Sequence, residues 1–275
     1  MVNPNDNTVY VARPKGKPDE SLNYRFTTQE NQFTGECLPC TAATFKTIVN
    51  SGDVNRKITT RQAVEKAIDE GLSLESFQND ASFRYFCQKE LLKPRAGATF
   101  ATLPLENKLQ QWTNSQKMWL PCFIFAVREF AAIPKTDKQG NPVLDEEGKE
   151  ILFRRRLQSS IRELSGLFMW DGDHLLCDPR EIYERTLRQG FPWKVRLAHN
   201  TSSGHGLRLV CEANPDVGNI ADNQIELGRE LGLLGQLGST GKPICDDSCI
   251  DASRISYAPR MCDIYYIDEN GLFNL

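Results

Sequence analysis

The sequence lacks any apolar run that approaches the roughly 20 residues a helix needs to cross a bilayer. Its first residues also lack the apolar core and cleavage site of a secretory signal. We therefore expect a cytoplasmic protein with no membrane partner. An excess of positive charge is missing too, since 33 Lys and Arg residues stand against 36 Asp and Glu residues. The protein is thus not expected to hold nucleic acid by a general basic field, and any contact with phosphate groups must be local.

A dense, paired set of cysteines is also absent. The nine cysteines are spread over the whole chain, which favours reduced thiols over a disulfide framework. Cys37 and Cys40 have half the spacing of a zinc site, but Cys245 and Cys249 lie far from them and lack the spacing of a second half. A structural zinc ion is therefore not expected, and the role of Cys37 and Cys40 stays open.

The chain divides by composition into three parts. Residues 1–35 are polar and rich in Pro, Gly and Asn, which predicts an extended arm. Residues 36–112 predict a smaller, mainly helical accessory lobe. Residues 113–275 mix strand-type and helix-type segments, and they predict an α/β core of the α+β kind.

Capping signals locate two of the predicted helices. Thr59 and Gln62 have the spacing of a capping box at a helix start, and Gly71 is a stop signal at the end of the same helix. Asp178 followed by Pro179 predicts the start of a second helix, because Asp favours the N-cap and Pro the first helical position.

Apolar runs locate the predicted strands. The segment 119–127 is short, apolar and aromatic, and a charged loop separates it from the strand-type segment 151–157. The apolar strand at 165–173 runs directly into two carboxylates. Two further runs flank the turn AsnThrSerSerGlyHis and predict a hairpin with polar groups at its tip.

Asp171 and Asp173 are the most informative pair in the sequence. They lie at i and i+2 at the end of a strand, so both side chains point the same way. Two neighbouring carboxylates repel, and a divalent cation such as Mg²⁺ relieves that repulsion. The alternative is a solvated turn, because Asp-Gly-Asp is also good turn chemistry.

Two further groups of polar residues follow. Ser203, Gly204 and His205 at the hairpin tip could converge on an anionic group, although a plain turn with an exposed histidine is the alternative. Beyond them, three acidic residues precede Arg254, whose guanidinium suits bidentate phosphate binding. These acids are Asp246, Asp247 and Asp251. The alternative for this segment is an acidic surface loop.

The order of these groups resembles the three motifs of archaeo-eukaryotic primases: an Asp-x-Asp ending a strand, a Ser-x-His in the next hairpin, and an Asp eight residues before an Arg. More narrowly, SerGlyLeuPheMetTrpAspGlyAsp, SerSerGlyHisGlyLeuArg and AspAspSerCysIleAspAlaSerArgIleSerTyrAlaPro are similar to the VirE N-terminal-like primase-polymerase domains of Bacteroidetes and their mobile elements. The resemblance covers roughly residues 117–268. Gly172 and Ala258 depart from it, where an aliphatic residue and an Asp are usual.

The resemblance implies that residues 113–275 form a primase-polymerase catalytic core with an RRM-like sheet. It also implies that Asp171, Asp173 and Asp246 are the catalytic residues and hold two Mg²⁺ or Mn²⁺ ions. Asp246 is preferred as the third ligand because it follows an apolar-type residue and precedes Arg254 by eight positions, as in the family motif.

The nucleotide would be bound by other residues of the same motifs. The resemblance assigns the triphosphate of an NTP or dNTP to Ser203, His205 and Arg254, with Arg208 as a weaker candidate. Its implied partners are a single-stranded DNA template and a helicase in the same or a separate chain.

Arg154 and Arg156 are candidates for contacts with the backbone of the nucleic acid. Alternation along a strand would put both side chains on one face. A solvated strand face is the alternative.

Three functions therefore remain to be separated. The first is a template-dependent nucleotidyltransferase that acts as a DNA primase, a DNA polymerase or both. The second is a catalytically inactive nucleic-acid-binding module of a mobile-element replication protein, and the third is a metal-dependent nuclease. The sequence leaves open whether chains are started or only extended, which sugar is selected, the oligomeric state, and whether the chain is a fragment of a longer protein.

Overall fold

A computed structural model of the chain describes residues 9–12, 27–29, 32–34, 37–94, 96–154, 156–246 and 251–273. Within these residues the strands are β1 Val9–Ala12, β2 Thr27–Gln29, β3 Gln32–Thr34, β4 Cys37–Cys40, β5 Cys122–Ile124, β6 Val127–Phe130, β7 Ala132–Pro134, β8 Leu152–Arg154, β9 Ile161–Leu164, β10 Leu167–Gly172, β11 Val195–Asn200, β12 Leu207–Glu212, β13 Ser256–Tyr257 and β14 Ile264–Ile267. The helices are α1 Ala42–Val49, α2 Gly52–Asp69, α3 Ala81–Leu91, α4 Ala96–Ala101, α5 Leu105–Lys117, α6 Pro179–Arg185, α7 Ile220–Glu230 and α8 Glu269–Phe273. In the described part of the chain, no helix is long and apolar enough to cross a membrane.

Two four-stranded sheets organise the fold, and all of their strand pairs are antiparallel. The first sheet has the order β13-β5-β1-β4, and the second has the order β10-β12-β11-β14. Mixed helix and antiparallel sheet confirm the α+β class. Between α7 and β14 the chain first runs past the β10 edge and then adds β13 to the other sheet.

Residues 1–35, predicted from composition as an extended arm, contain a strand of the first sheet. Val9–Ala12 forms strand β1, which pairs with β4 on one side and β5 on the other. Its sequence, Val-Tyr-Val-Ala, contains the β-branched and aromatic residues that favour strands. The polar composition around it concealed this short strand.

The two faces of β10 belong to different hydrophobic clusters, because successive side chains of a strand point to opposite faces. Leu167 and Met169 lie in the first cluster, whereas Phe168 and Trp170 lie in the second. The second cluster packs this sheet against α6 and α7, through residues such as Leu227. One face of the sheet is thus covered by helices.

The first cluster joins parts of the chain that composition had separated. It contains Phe45 from α1 and Ile58 from α2 together with Phe123 of the first sheet and Val210 of the second. The predicted helical lobe and the predicted core therefore share one set of buried side chains. A further cluster around Trp112 lies among the helices α2, α3 and α5.

Two of the capping predictions are confirmed and one is wrong. Helix α2 begins at Gly52, where the Ser51 hydroxyl accepts a hydrogen bond from the Val54 amide at 3.2 Å. The capping box at Thr59 therefore lies inside a helix, because the Ser51 cap begins it two turns earlier. Gly71, with φ +62°, follows the end of α2 as predicted. The Asp178 carboxylate accepts from the Arg180 amide at 2.8 Å and caps α6, with Pro179 at its first position.

The predicted strands are mostly confirmed, with two differences. The run at 119–127 contributes two short strands, β5 and the start of β6, instead of one. Among the described residues of the segment 151–157, only β8 is a strand, and it pairs with β7, so the charged loop joins the two strands of a hairpin. The hairpin of β11 and β12 forms as predicted, with the polar turn at its tip.

Replacing Phe45 by Ala tests whether α1 belongs to a common core, namely the first hydrophobic cluster that the helices share with both sheets. The Phe45 ring lies 4.7 Å from the ring of Phe123 and 5.7 Å from that of Phe273, measured between centroids. We expect Phe45→Ala to lower the free energy of unfolding by about 3–5 kcal/mol in urea titrations. Leu92→Ala is the control, because Leu92 is 83% exposed, and it should change stability by less than about 0.5 kcal/mol. Equal effects would contradict a core shared by α1 and the sheets.

Candidate functional site

Three carboxylates meet at one end of the second sheet. Asp171 lies in β10, Asp173 follows its last residue, and Asp246 comes from a segment that runs along the end of β10. The Asp173 amide donates to the Ile244 carbonyl at 2.9 Å, and the Asp246 amide donates to the Asp171 carbonyl at 3.1 Å. These backbone bonds bring one carboxylate oxygen of each acid to within 4.8 Å of the others.

A local steric constraint explains why a glycine, Gly172, lies between the first two acids. A Cβ atom at this position would come within 2.5 Å of the Trp170 indole ring. The large buried side chain of Trp170 therefore excludes an aliphatic residue at position 172. Ala258, the other departure, is buried in the first hydrophobic cluster, where an Asp side chain would be costly.

Two arginines contact the acids. Arg208, directly opposite Asp171 in the β10–β12 register, donates to the Asp171 carboxylate and, at 3.1 Å, to the Ser256 hydroxyl. Arg254 donates to the Asp246 carboxylate at 2.9 Å. Each of these arginines therefore neutralises part of the negative charge of the acidic cluster.

The acids have the properties of a divalent cation site. Asp171 is only 3% exposed, and its Oδ1 atom is buried without a hydrogen-bond partner among the described residues. Burial and the nearby Asp171 raise the pKa of Asp173. A buried carboxylate oxygen without a donor is costly, and carboxylates are the ligands that Mg²⁺ and Mn²⁺ prefer. The three residues therefore fit the predicted metal ions.

Asp171 and Asp173 line a cleft with a volume of about 340 Å³, whereas Asp246 is not among its lining residues. That volume lies within the range of about 300–1,000 Å³ found for small-molecule sites. The cleft combines acidic, basic and polar side chains, namely Lys117, Arg156, Asp171, Asp173, His199, Thr201, Ser202, Ser203, Arg208, Asp251, Arg254, Ile255 and Tyr257. Carboxylates on strand ends beside several cations favour a ligand that carries phosphate groups and binds together with metal ions.

Lys117, His199 and Tyr257 also line this cleft, although they are not predicted from the sequence as site residues. Burial, with Arg61 and Arg208 nearby, lowers the pKa of Lys117. Burial and Arg208 lower the pKa of His199 to about 4, so this imidazole is neutral at pH 7. Strand alternation could have identified His199, which shares a face with Leu197 of the first cluster. Lys117, the last residue of α5, gave no local signal.

The predicted nucleotide-binding residues do not all lie together. Ser203, Arg208 and Arg254 line the cleft, but His205 is not among its lining residues. The His205 imidazole points to the other side of the hairpin tip, where Nε2 lies 3.1 Å from the Asp69 carboxylate of α2. The position of His205 therefore does not support its predicted contact with the triphosphate.

The two arginines that are predicted to contact the nucleic-acid backbone, Arg154 and Arg156, lie in different environments. Arg156 lines the cleft and donates to the Ser253 carbonyl at 2.8 Å, whereas Arg154 is exposed at the end of β8. The strand ends before Arg156, so the two do not share a strand face, contrary to the prediction.

The structure also distinguishes among the three acids near Arg254 that are candidates for the third metal ligand. Asp246 joins the acidic cluster, whereas the Asp251 carboxylate accepts from the Ser253 amide and hydroxyl, both at 2.8 Å. Asp247 lies outside the described residues.

The two cysteines with half the spacing of a zinc site, Cys37 and Cys40, both lie in β4. They belong to different hydrophobic clusters, and burial raises the pKa of the Cys40 thiol.

Comparison of the chain with protein-family models, with curated proteins and with solved structures gives no match. The motifs and the geometry of the cleft are therefore the basis for a functional assignment.

Replacing Asp173 by Asn tests whether the acids repel one another in the folded protein. Because the folded pKa of Asp173 is raised, its protonated form contributes stability below the unfolded pKa of about 3.9, and this stability is lost as the pH rises through the folded pKa. At pH 7 in EDTA, Asp173→Asn should therefore raise Tm by about 2–4 °C, measured by calorimetry. The gain in Tm on adding Mg²⁺ should be smaller in the variant than in the original chain.

Asp216→Asn is the matched control, because Asp216 is exposed in a loop away from the cluster. Its Tm should be unchanged. A lower Tm for Asp173→Asn in EDTA would show that the carboxylate stabilises the fold and would contradict the repulsion.

Proposed function

We propose that the chain is a template-dependent nucleotidyltransferase of the primase-polymerase type, which joins NTPs or dNTPs on a single-stranded template. The observation that carries the proposal is the meeting of Asp171, Asp173 and Asp246 beside a cleft lined by basic side chains. The sequence motifs and this geometry agree on the same three acids, although the third comes from a distant segment.

The three carboxylates would hold two Mg²⁺ or Mn²⁺ ions. When bound, such ions lower the pKa of an attacking 3′ hydroxyl and neutralise charge on the triphosphate during an in-line displacement at the α-phosphate. The buried Oδ1 of Asp171 supports this role, because a cation would supply the partner that the described residues do not.

The basic residues of the cleft would bind the triphosphate. Arg254 and Lys117 line the cleft, and Arg156 adds a third cation. Guanidinium groups bind phosphate bidentately, and a partly buried ammonium group acts as a point charge. Positioned cations stabilise the charge that develops on the departing pyrophosphate.

His199 and Ser256 would position Arg208 within this site. The His199 Nδ1 lies 2.7 Å from the Asn200 carbonyl, which can only accept, so Nδ1 carries the proton and Nε2 is an acceptor. The Ser256 hydroxyl can then donate to Nε2 at 3.4 Å while it accepts from Arg208 at 3.1 Å. A neutral imidazole in this arrangement orients the arginine and is not itself a phosphate ligand.

The double variant Asp171→Asn, Asp173→Asn tests the proposal. We expect labelled nucleotides to be added to a primed single-stranded DNA in the presence of Mn²⁺ or Mg²⁺, and the rate to fall at least about 10²–10³-fold in the variant. Asp216→Asn, an exposed Asp away from the cleft, should retain full activity. Product without a primer would identify a primase.

The same assay separates the two alternatives. A nuclease would shorten the DNA without added triphosphates, and the double variant would lose that activity. A binding module would slow the migration of DNA in a mobility-shift assay and would give no extended product with any metal ion. Either result would overturn the polymerase proposal.

A further inference from the structure

A second cleft lies on the other side of the β11–β12 hairpin tip, against the C-terminal half of α2. Its volume is about 410 Å³, within the range of small-molecule sites. The side chains around it are mainly polar, namely Gln62, Lys66, Asp69, Glu70, Asn200, Ser203, Gly204 and His205. Ser203 lines both clefts, so the hairpin tip is the partition between them.

Gln62 lines this cleft and has a hydrogen-bond donor without a partner among the described residues. Its Oε1 accepts from Arg260, which is itself held by Asp263 through two hydrogen bonds of 2.8 Å. Arginine only donates, so the amide oxygen must face Arg260 and the amide nitrogen must face away from it. That nitrogen, Nε2, is buried without a hydrogen-bond partner among the described residues.

Asn200 also lines this cleft and has a hydrogen-bond acceptor without a partner in the described part of the chain. Its Oδ1 atom is also buried, and no described residue donates to it. The backbone of Asn200 is fixed at the end of β11, where it pairs with Leu207 and its carbonyl accepts from His199. Gln62 and Asn200 therefore both line this cleft, and each has one buried amide atom, a donor in Gln62 and an acceptor in Asn200, that is costly without a partner.

The charges around the cleft disfavour an anionic ligand. Asp69 and Glu70 outnumber Lys66, and the Asp69 carboxylate is paired with His205. A phosphate group would meet net negative charge here, unlike in the first cleft. The ligand part that fits is uncharged and carries a donor and an acceptor on one edge.

We propose that the second cleft binds an unpaired nucleobase, with Gln62 Nε2 donating to a ring or carbonyl acceptor and Asn200 Oδ1 accepting from a base N–H group. The choice of a nucleobase among amide-like ligands rests on the proposed function, because the adjoining cleft would hold nucleotide phosphates. The Watson–Crick edge of every nucleobase carries both an acceptor and a donor, so this pair alone does not select among bases. The base belongs either to a free nucleotide or to a single strand.

Gln62→Glu tests the donor with little change in shape. The new carboxylate retains an oxygen for Arg260 but replaces the donor by an acceptor. We expect nucleoside binding, measured in EDTA by ligand-observed NMR with adenosine, cytidine, guanosine and uridine, to weaken about 10-fold or more. Asn200→Ala, which removes the acceptor, should weaken it to a similar extent. Gln111→Glu makes the same chemical change on the exposed face of α5 and should leave binding unchanged.

A second pair of ligands distinguishes the two sources of the base. A ten-nucleotide DNA strand is compared with a strand of the same length that lacks all bases. Binding of free nucleosides that depends on Gln62 assigns the site to a free nucleotide. A preference for the base-bearing strand that is lost in Gln62→Glu, without nucleoside binding, assigns the site to the strand.

Other outcomes would overturn the inference. The first is that neither nucleosides nor the DNA strand bind. The second is that Gln62→Glu binds as well as the original chain, with an unchanged Tm. The third is that the double variant Asp171→Asn, Asp173→Asn loses binding, which would put the base in the first cleft. The measurement needs neither metal nor turnover. Failure of nucleotide addition with base binding intact would therefore reject only the polymerase proposal.

Discussion

The buried Asp171 carboxylate, held across β10 and β12 by Arg208, is the interaction on which the cleft depends. A carboxylate that is 3% exposed costs the fold free energy unless it is paired, and Arg208 pairs only one of its two oxygens. Ser256 and His199 continue the hydrogen bonding from Arg208 to the end of β11. The ends of these strands are therefore fixed by polar contacts, and the remaining oxygen of Asp171 has no hydrogen-bond partner among the described residues.

Strand alternation separates support from chemistry in the second sheet. Phe168 and Trp170 bind the sheet to α6 and α7, whereas Leu167 and Met169 on the opposite face lead to Asp171. The apolar part of that face is covered by the common core, and only its polar end opens to the cleft. A rigid, two-sided packing of this kind holds charged groups together that would otherwise repel.

The hairpin tip gives the two clefts different chemistry. The first cleft has four cations beside its acids, and the second has an acidic rim with two buried amide atoms. From the sequence, Ser203 and His205 are expected to act as one group because they are neighbours in a turn. The structure separates them, since residues of a tight turn point in different directions and His205 finds Asp69 on α2. Adjacent residues of one motif therefore lie in different environments.

Local pattern determined the acids at the end of β10, the hairpin, the α6 cap and the α+β class, because periodicity and caps are set by neighbours in the chain. Tertiary structure decided what depends on distant segments. Asp246 joins Asp171 through backbone bonds between segments far apart in sequence, and Lys117 reaches the cleft from the end of α5. Strand β1 likewise forms because β4 and β5 offer it partners, which its polar surroundings could not reveal.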